Sequence, residues 1–258
     1  MKFTLSVLIL IAMFGLTACD LPHQPGPMPT EIVETDFEPG LNIMGVLRAD
    51  DQSGSSFVNI NRALTTEEIY SETIDDFSPE VDHVKVSSQG TGFEYLFQAP
   101  EDTSGWGYYR DSTLNVLPGE MYDLEIQAPG YPTLTGSTQI PHQPQLVSDP
   151  VSVVAGNISF QIQHNTTAYE YKLYLLFSEI ALEKVVKPST EAIIDVDWSF
   201  DGDLGSPFVL MLTALDENLT RYGNSPISFL PNTYHQDGTT VEGGYGCFGS
   251  VAIKMYPL

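Results

Sequence analysis

The sequence predicts an all-β fold: two antiparallel β-sandwiches of the immunoglobulin-like or transthyretin-like kind, preceded by a signal peptide and a proline-rich tether. Three observations predict it. Apolar and polar residues alternate with period two in many short runs after Leu41, as half-buried antiparallel strands require. Glycine, proline, aspartate and serine separate those runs at short intervals, which is turn chemistry. Regular short strands punctuated in this way build sandwiches.

The chain begins with Lys2 and an apolar run from Phe3 to Leu16. That run is shorter than the roughly 20 residues a bilayer span takes, and it suits a signal peptide. "LTAC", Leu16 to Cys19, resembles the bacterial lipobox. The resemblance implies cleavage before Cys19 and lipidation of its thiol and new amine. A single acyl chain holds a protein only marginally to a membrane, so several chains make a lasting anchor. Residues 1–18 are thus expected to be a signal peptide and residues 19–40 a lipidated tether. Pro22, Pro25, Pro27, Pro29 and Pro39 keep the tether extended, at about 3.1 Å per residue.

The first expected sandwich covers residues 41–143. "VNINRAL" sets Val58, Ile60 and Leu64 against Asn59 and Asn61. "HVKVS" alternates Val84 and Val86 with His83 and Lys85, "FEYLFQ" sets Phe93, Tyr95 and Phe97 inward, and "MYDLEIQ" does so for Tyr122, Leu124 and Ile126. Thr65 to Thr73 is the best helix candidate, with a capping threonine and early glutamates. "PHQPQ" marks the boundary near residue 144. In the second sandwich, 144–258, "NISFQIQ" puts Ile158, Phe160 and Ile162 inward. "YEYKLYLLF" does the same for Tyr169, Tyr171, Leu173, Leu175 and Phe177.

Charge excludes some functions. Asp and Glu number 34 against 10 Lys and Arg, for a formal net charge of −24. Nucleic-acid binding needs cations that displace phosphate counterions, and polybasic attraction to anionic lipid needs the same. A solvated acidic surface accounts for the imbalance, with divalent-cation binding the sharper alternative.

No nucleophile elbow, phosphate loop or zinc-protease motif occurs, and no cofactor is expected. Two clusters are weighed as sites. "DVDWSFDGDLG" gathers Asp195, Asp197, Asp201 and Asp203, and hard cations such as calcium take carboxylate oxygens. The spacing partly follows an EF-hand loop, but Phe208 stands where the bidentate glutamate belongs. In a strand, Asp195 and Asp197 share one face and Trp198 takes the other. An acidic inter-strand loop is the plainer reading. "GWGYYR" gathers Trp106, Tyr108 and Tyr109 between glycines, a stacking surface if exposed and core if not. Cys247 is read as a small packed residue, because a reactive thiol needs a nearby cation.

Several stretches in order resemble a family of Bacteroidetes-type outer-membrane lipoproteins, domain of unknown function 4249. They are the lipobox, "LNIMGVLRADDQSGSSFVNINRAL", "VLPGEMYDLEIQAPGYPTLTGSTQIP", "FDGDLGSPFVLMLTALDENLTRYG" and the glycine-rich "VEGGYGCFGSVAIKMYP". The chain is short for that family, and residues 144–195 match it poorly. The resemblance implies a lipid anchor in the outer membrane, a TonB-dependent receptor as partner, and no catalytic residues. Gly243, Gly244, Gly246 and Gly249 carry a physical expectation of their own. They suit a strand that enters a sheet hard against another segment, without any ligand.

Overall fold

A computed structural model describes residues 39–258, apart from 51, 65–67, 69–77, 100–107, 148–152, 155, 188–189 and 226–237. The signal peptide, Cys19, the tether up to residue 38, Trp106 and the expected helix (all but Glu68) lie outside the described residues. The protein is all-β. The first strands are β1 (Leu41–Ala49), β2 (Phe57–Arg62), β3 (His83–Ser88), β4 (Glu94–Phe97) and β5 (Tyr108–Tyr109). Then come β6 (Met121–Gln127), β7 (Leu134–Gln139), β8 (Gln145–Leu146), β9 (Val153–Val154) and β10 (Asn157–Gln163). β11 (Glu170–Leu176), β12 (Ala181–Val186), β13 (Ile193–Ser199) and β14 (Val209–Leu215) follow. After the short helix α1 (Glu217–Gly223), β15 (Val241–Glu242) and β16 (Gly244–Pro257) complete the chain.

Three sheets result. One runs β12-β11-β14-β16-β1-β2-β5, one β15-β7-β6-β3-β4, and one β13-β10-β8 with β9 also on β10. Most neighbours are antiparallel, as the alternating runs predict. The exception is β1, which pairs parallel with β16 from Leu41 opposite Gly244 to Ala49 opposite Ala252. On the other edge of β16, β14 pairs antiparallel from Leu215 opposite Val251 to Val209 opposite Pro257. The two partners are staggered and overlap only at Val251 and Ala252. The last strand therefore passes from one sandwich into a second.

The expected division at residue 144 fails for this part of the chain. β15 pairs with β7 and the first part of β16 with β1, so the end of the chain completes the first sandwich. The physical reason lies in the glycines. A Cβ on Gly246 would stand 2.0 Å from the Ile43 carbonyl oxygen, at a φ of +102°. Only glycine lets two backbones approach so closely in that conformation.

Two inward readings also need correction. Phe93 is 65 % exposed in the turn before β4, and Tyr169 is 50 % exposed just before β11. Alternation was extended one residue past the strand in each case. The remaining inward residues of those strands, Phe97, Tyr171, Leu173, Leu175 and Phe177, are buried.

A buried polar chain ties the sheets together where the two sandwiches meet. The Thr138 hydroxyl on β7 contacts Asp216 Oδ2 and lies 2.9 Å from Ser250 Oγ, which donates to the Gln139 carbonyl at 2.9 Å. Asp216 also caps α1 by accepting from Leu219 N at 2.8 Å. The Thr138 hydroxyl donates to Asp216. Burial pushes the Asp216 pKa up, while hydrogen bonds from Thr138 and from the backbone of Leu219, Ser250 and Asn218 pull it down. From α1, the Asn218 amide reaches the carbonyls of Ser137 and Phe248, both at 2.8 Å. It thereby ties the backbones of β7 and β16 to α1.

Candidate functional site

Each of the two clusters weighed from the sequence has a member outside the described side chains, Trp106 in one and Asp203 in the other. In β5, neighbouring residues point to opposite faces. Tyr108 faces out, edge-on to Phe57 at 5.0 Å, with the Arg110 guanidinium 5.6 Å from its ring centre. Tyr109 packs against the core, and burial raises its phenol pKa. The pair does not form one stacking platform.

Asp195 and Asp197 do share the outer face of β13, with Trp198 buried behind them. Each is held by its cross-strand neighbour. Gln161 Nε2 donates to Asp195 Oδ1 and Ser159 Oγ to Asp197 Oδ1, both at 2.7 Å. Asp201 opens a tight turn in which its carbonyl accepts from Leu204 N. The side chain of Asp203 lies outside the described residues. Among the described residues no three His, Cys, Asp or Glu side chains gather as metal ligands. Cys247 is fully buried, and burial pushes its thiol up to about 12.

Surface hollows remain among the described residues, one of about 380 Å³ between Gly40, Pro132 and Gly244. A larger one, about 610 Å³, lies over the outer face of β3, β6, β7 and β15. Its one lysine is paired, against three lining carboxylates, Asp123, Glu125 and Glu242. Lys85 Nζ sits 3.3 Å from Glu125 and 3.7 Å from Glu94, and His83 Nε2 is 3.2 Å from Glu125. Hydrogen bonds from His83 and Lys85 hold the Glu125 carboxyl below its ordinary pKa, while Glu125 raises that of Lys85. Asp123 accepts from Gln89 at 2.9 Å and from Ser137 at 2.6 Å.

A smaller hollow, about 310 Å³, lies where β8 meets the end of β10. His142, Gln143, Gln145, Gln163, His164 and Asn165 line it. Asn165 is fixed from both ends of its side chain. Its amide nitrogen donates to the His142 carbonyl at 2.8 Å, and its Oδ1 accepts from Thr167 N at 2.8 Å. The Tyr171 hydroxyl accepts from Asn165 N at 3.0 Å and lies 3.4 Å from His164 Nδ1. The sequence does not reveal this hollow, because "PHQPQ" reads as a domain boundary and "NISFQIQ" as a strand. The signal that marks it is the recurrence of amide and imidazole side chains in two segments that flank one turn of chain.

No family model matches the chain, and no curated protein does. Among solved structures, it is similar to a tetra-tandem repeat in the extending region of a large adhesion protein. That likeness has 9 % identity and a TM-score of 0.25 over 84 % of this chain and 49 % of the other. A DUF4785 family protein from Legionella pneumophila is similar at 13 % identity and a TM-score of 0.28, over 68 % of this chain and 52 % of its own. A pullulanase from Anoxybacillus sp., complexed with maltotriose, gives 9 % identity and a TM-score of 0.24, over 68 % and 24 %. The chain thus spans about half the length of the first two structures. At these TM-scores the likenesses carry no argument about function.

Proposed function

We propose that this chain is a lipid-anchored, non-catalytic binding module of the bacterial envelope, held at Cys19 and presenting its second sandwich to a partner. The observation that carries this reading is the parallel register of β1 and β16. Leu41, where the tether ends, lies beside Gly244, and both strands run away from that point. The fourteen residues of β16 span about 45 Å at roughly 3.3 Å per residue. The second sandwich is therefore at the end remote from the tether.

Exposed apolar residues sit together at that far end. Phe208 is 53 % exposed and Ile180 46 %. Backbone hydrogen bonds join their neighbourhoods, from Phe208 N to the Leu176 carbonyl and from Leu258 N to the Phe208 carbonyl. Apolar tips of this kind suit protein contact. A TonB-dependent outer-membrane receptor is the partner that the sequence resemblance implies.

Site-specific photo-crosslinking in cells tests the reading. A photoreactive residue at Phe208 should capture an outer-membrane receptor, and one at Pro129, in the β6–β7 turn near the tether, should not. Cys19→Ser should release the protein from the membrane fraction. Retention of Cys19→Ser in the membrane, or capture from Pro129 alone, would overturn it.

A further inference from the structure

We propose that the hollow at the β8–β10 junction is a binding site for a neutral, polyhydroxylated ligand, a saccharide unit of a glycan. The inference deepens the binding-module reading by naming a ligand class, and it rests on side chains that reading does not use.

The outer face of β10 and β13 is a ladder of polar pairs, each closed on itself. Ser199 Oγ donates to Asn157 Oδ1 at 2.7 Å, Ser159 to Asp197 at 2.7 Å, and Gln161 to Asp195 at 2.7 Å. The next rung breaks the pattern. Gln163 stands opposite Ile193 on one side and Gln145 on the other. Directly opposite residues of an antiparallel pair share a face, so the Gln145 and Gln163 amides lie side by side. Among the described residues neither amide has a hydrogen-bond partner, and the same holds for Gln143. The open rung coincides with the hollow.

Each carboxamide offers donors and an acceptor together, and that combination matches neighbouring hydroxyl groups, which also do both. Ile193, 41 % exposed beside Gln163, offers an apolar contact for the C–H face of a sugar ring. The rest of the rim is already in place. Asn165 and His164 are held by the bonds described above, and the His142 ring is seated on Gly119, where a Cβ would come within 2.6 Å of it. A rim ordered before binding spares the ligand part of the ordering entropy.

No Asp, Glu, Lys or Arg lines the hollow, although the chain has a formal net charge of −24. An anionic ligand would meet that field without a compensating cation. A hard cation would find no carboxylate. The volume lies at the lower end of small-molecule sites, which begin near roughly 300 Å³, so one or two sugar rings would fill it.

The test uses the full chain in a zwitterionic detergent without sugar head groups, which suits an anchored and an unanchored chain alike. Saturation-transfer NMR is run against maltotriose, cellotriose and N-acetylchitotriose, with tri-galacturonate as the anionic control. At least one neutral trisaccharide should receive saturation, and the acidic one should not. Gln145→Leu with Gln163→Leu should weaken that binding about tenfold or more, as loss of two hydrogen bonds predicts. Both positions are exposed, so the fold should survive, and an unchanged circular-dichroism spectrum checks it. Asp195→Asn, on a closed rung, should leave binding unchanged. Transfer to none of the three neutral probes, transfer that persists in the double variant, or binding abolished by a metal chelator would each overturn the proposal. None of these outcomes depends on Phe208 or Cys19, so this proposal and the anchored-module reading fail separately.

Discussion

The last strand has two parts, and they are built on different rules. From Gly244 to Ala252 it runs parallel to β1, is buried on both faces from Gly246 on, and contains a glycine at φ +102°. From Ile253 to Pro257 it pairs with β14 alone, and Met255 is 57 % exposed. The first part is fixed by backbone contact, which tolerates no added atom. In the second part Met255 is exposed, while Tyr256 still packs against the core and its hydroxyl donates to the Pro144 carbonyl. One element thus serves as a core for one sandwich and as a flank for the other.

Gly246→Ala should be the most damaging substitution. It places a methyl within 2.0 Å of the Ile43 carbonyl oxygen, and a loss of more than about 4 kcal/mol is expected by urea unfolding. Gly92→Ala is the matched control. Gly92 also has a positive φ, +69°, but nothing lies within 4 Å of its added Cβ, so only about 1 kcal/mol should be lost. Equal costs at the two positions would show that conformation, not close approach, governs the first part of β16.

The side chains of β16 should follow the same order. Phe248 is fully buried and Phe248→Ala should cost about 3–5 kcal/mol. Met255→Ala should change stability by under about 0.5 kcal/mol. A large effect at Met255 would erase the distinction between the two parts.

Asp216 should give the chain a pH signature at the junction. Its folded-state pKa is raised by burial, so folding favours the proton. The stabilisation is full below the unfolded carboxyl value, about 3.9, and is lost as pH rises from there through the raised folded value. Asp216→Asn removes the titrating group while keeping an acceptor for Leu219 N, and should flatten that slope. Asp216→Ala should cost about 2 kcal/mol through loss of the helix cap and of one of the two partners of the Thr138 hydroxyl. A slope that persists in Asp216→Asn would place the titrating group elsewhere.

A small effect also belongs to the larger hollow. Lys85 is paired with Glu125 and Glu94 at a wet surface, so Lys85→Met should leave the urea midpoint almost unchanged. A larger loss, measured at low and high salt, would mean that this trough holds the first sandwich together.

Much of the strand content was legible because burial leaves a local trace. "MYDLEIQ" and "NISFQIQ" alternate in the sequence as they do in burial, and the facing of Asp195, Asp197 and Trp198 followed from period two alone. The shared strand left no such trace. Parallel pairing of Leu41 with Gly244 joins distant parts of the chain, and only the close glycines hinted at a tight neighbour. The hollow was equally hidden, because β8 is two residues long and its partnership with β10 sets Gln145 beside Gln163 without any periodic signal.

The parallel closure also governs how the protein comes into being. Synthesis runs from the amino terminus, so β1 and β2 emerge long before the strand that must lie beside them. Until Gly244 and its followers are made, the first sandwich has an open edge and an incomplete interior. Such late, long-range closure slows folding and leaves early segments in contact with solvent and chaperones. A chain stopped short of residue 244 would carry nearly all the strands of the first sandwich and still be unable to finish it. Proteolysis of nascent or truncated chains should therefore be rapid, with resistance gained only when the final strand is released.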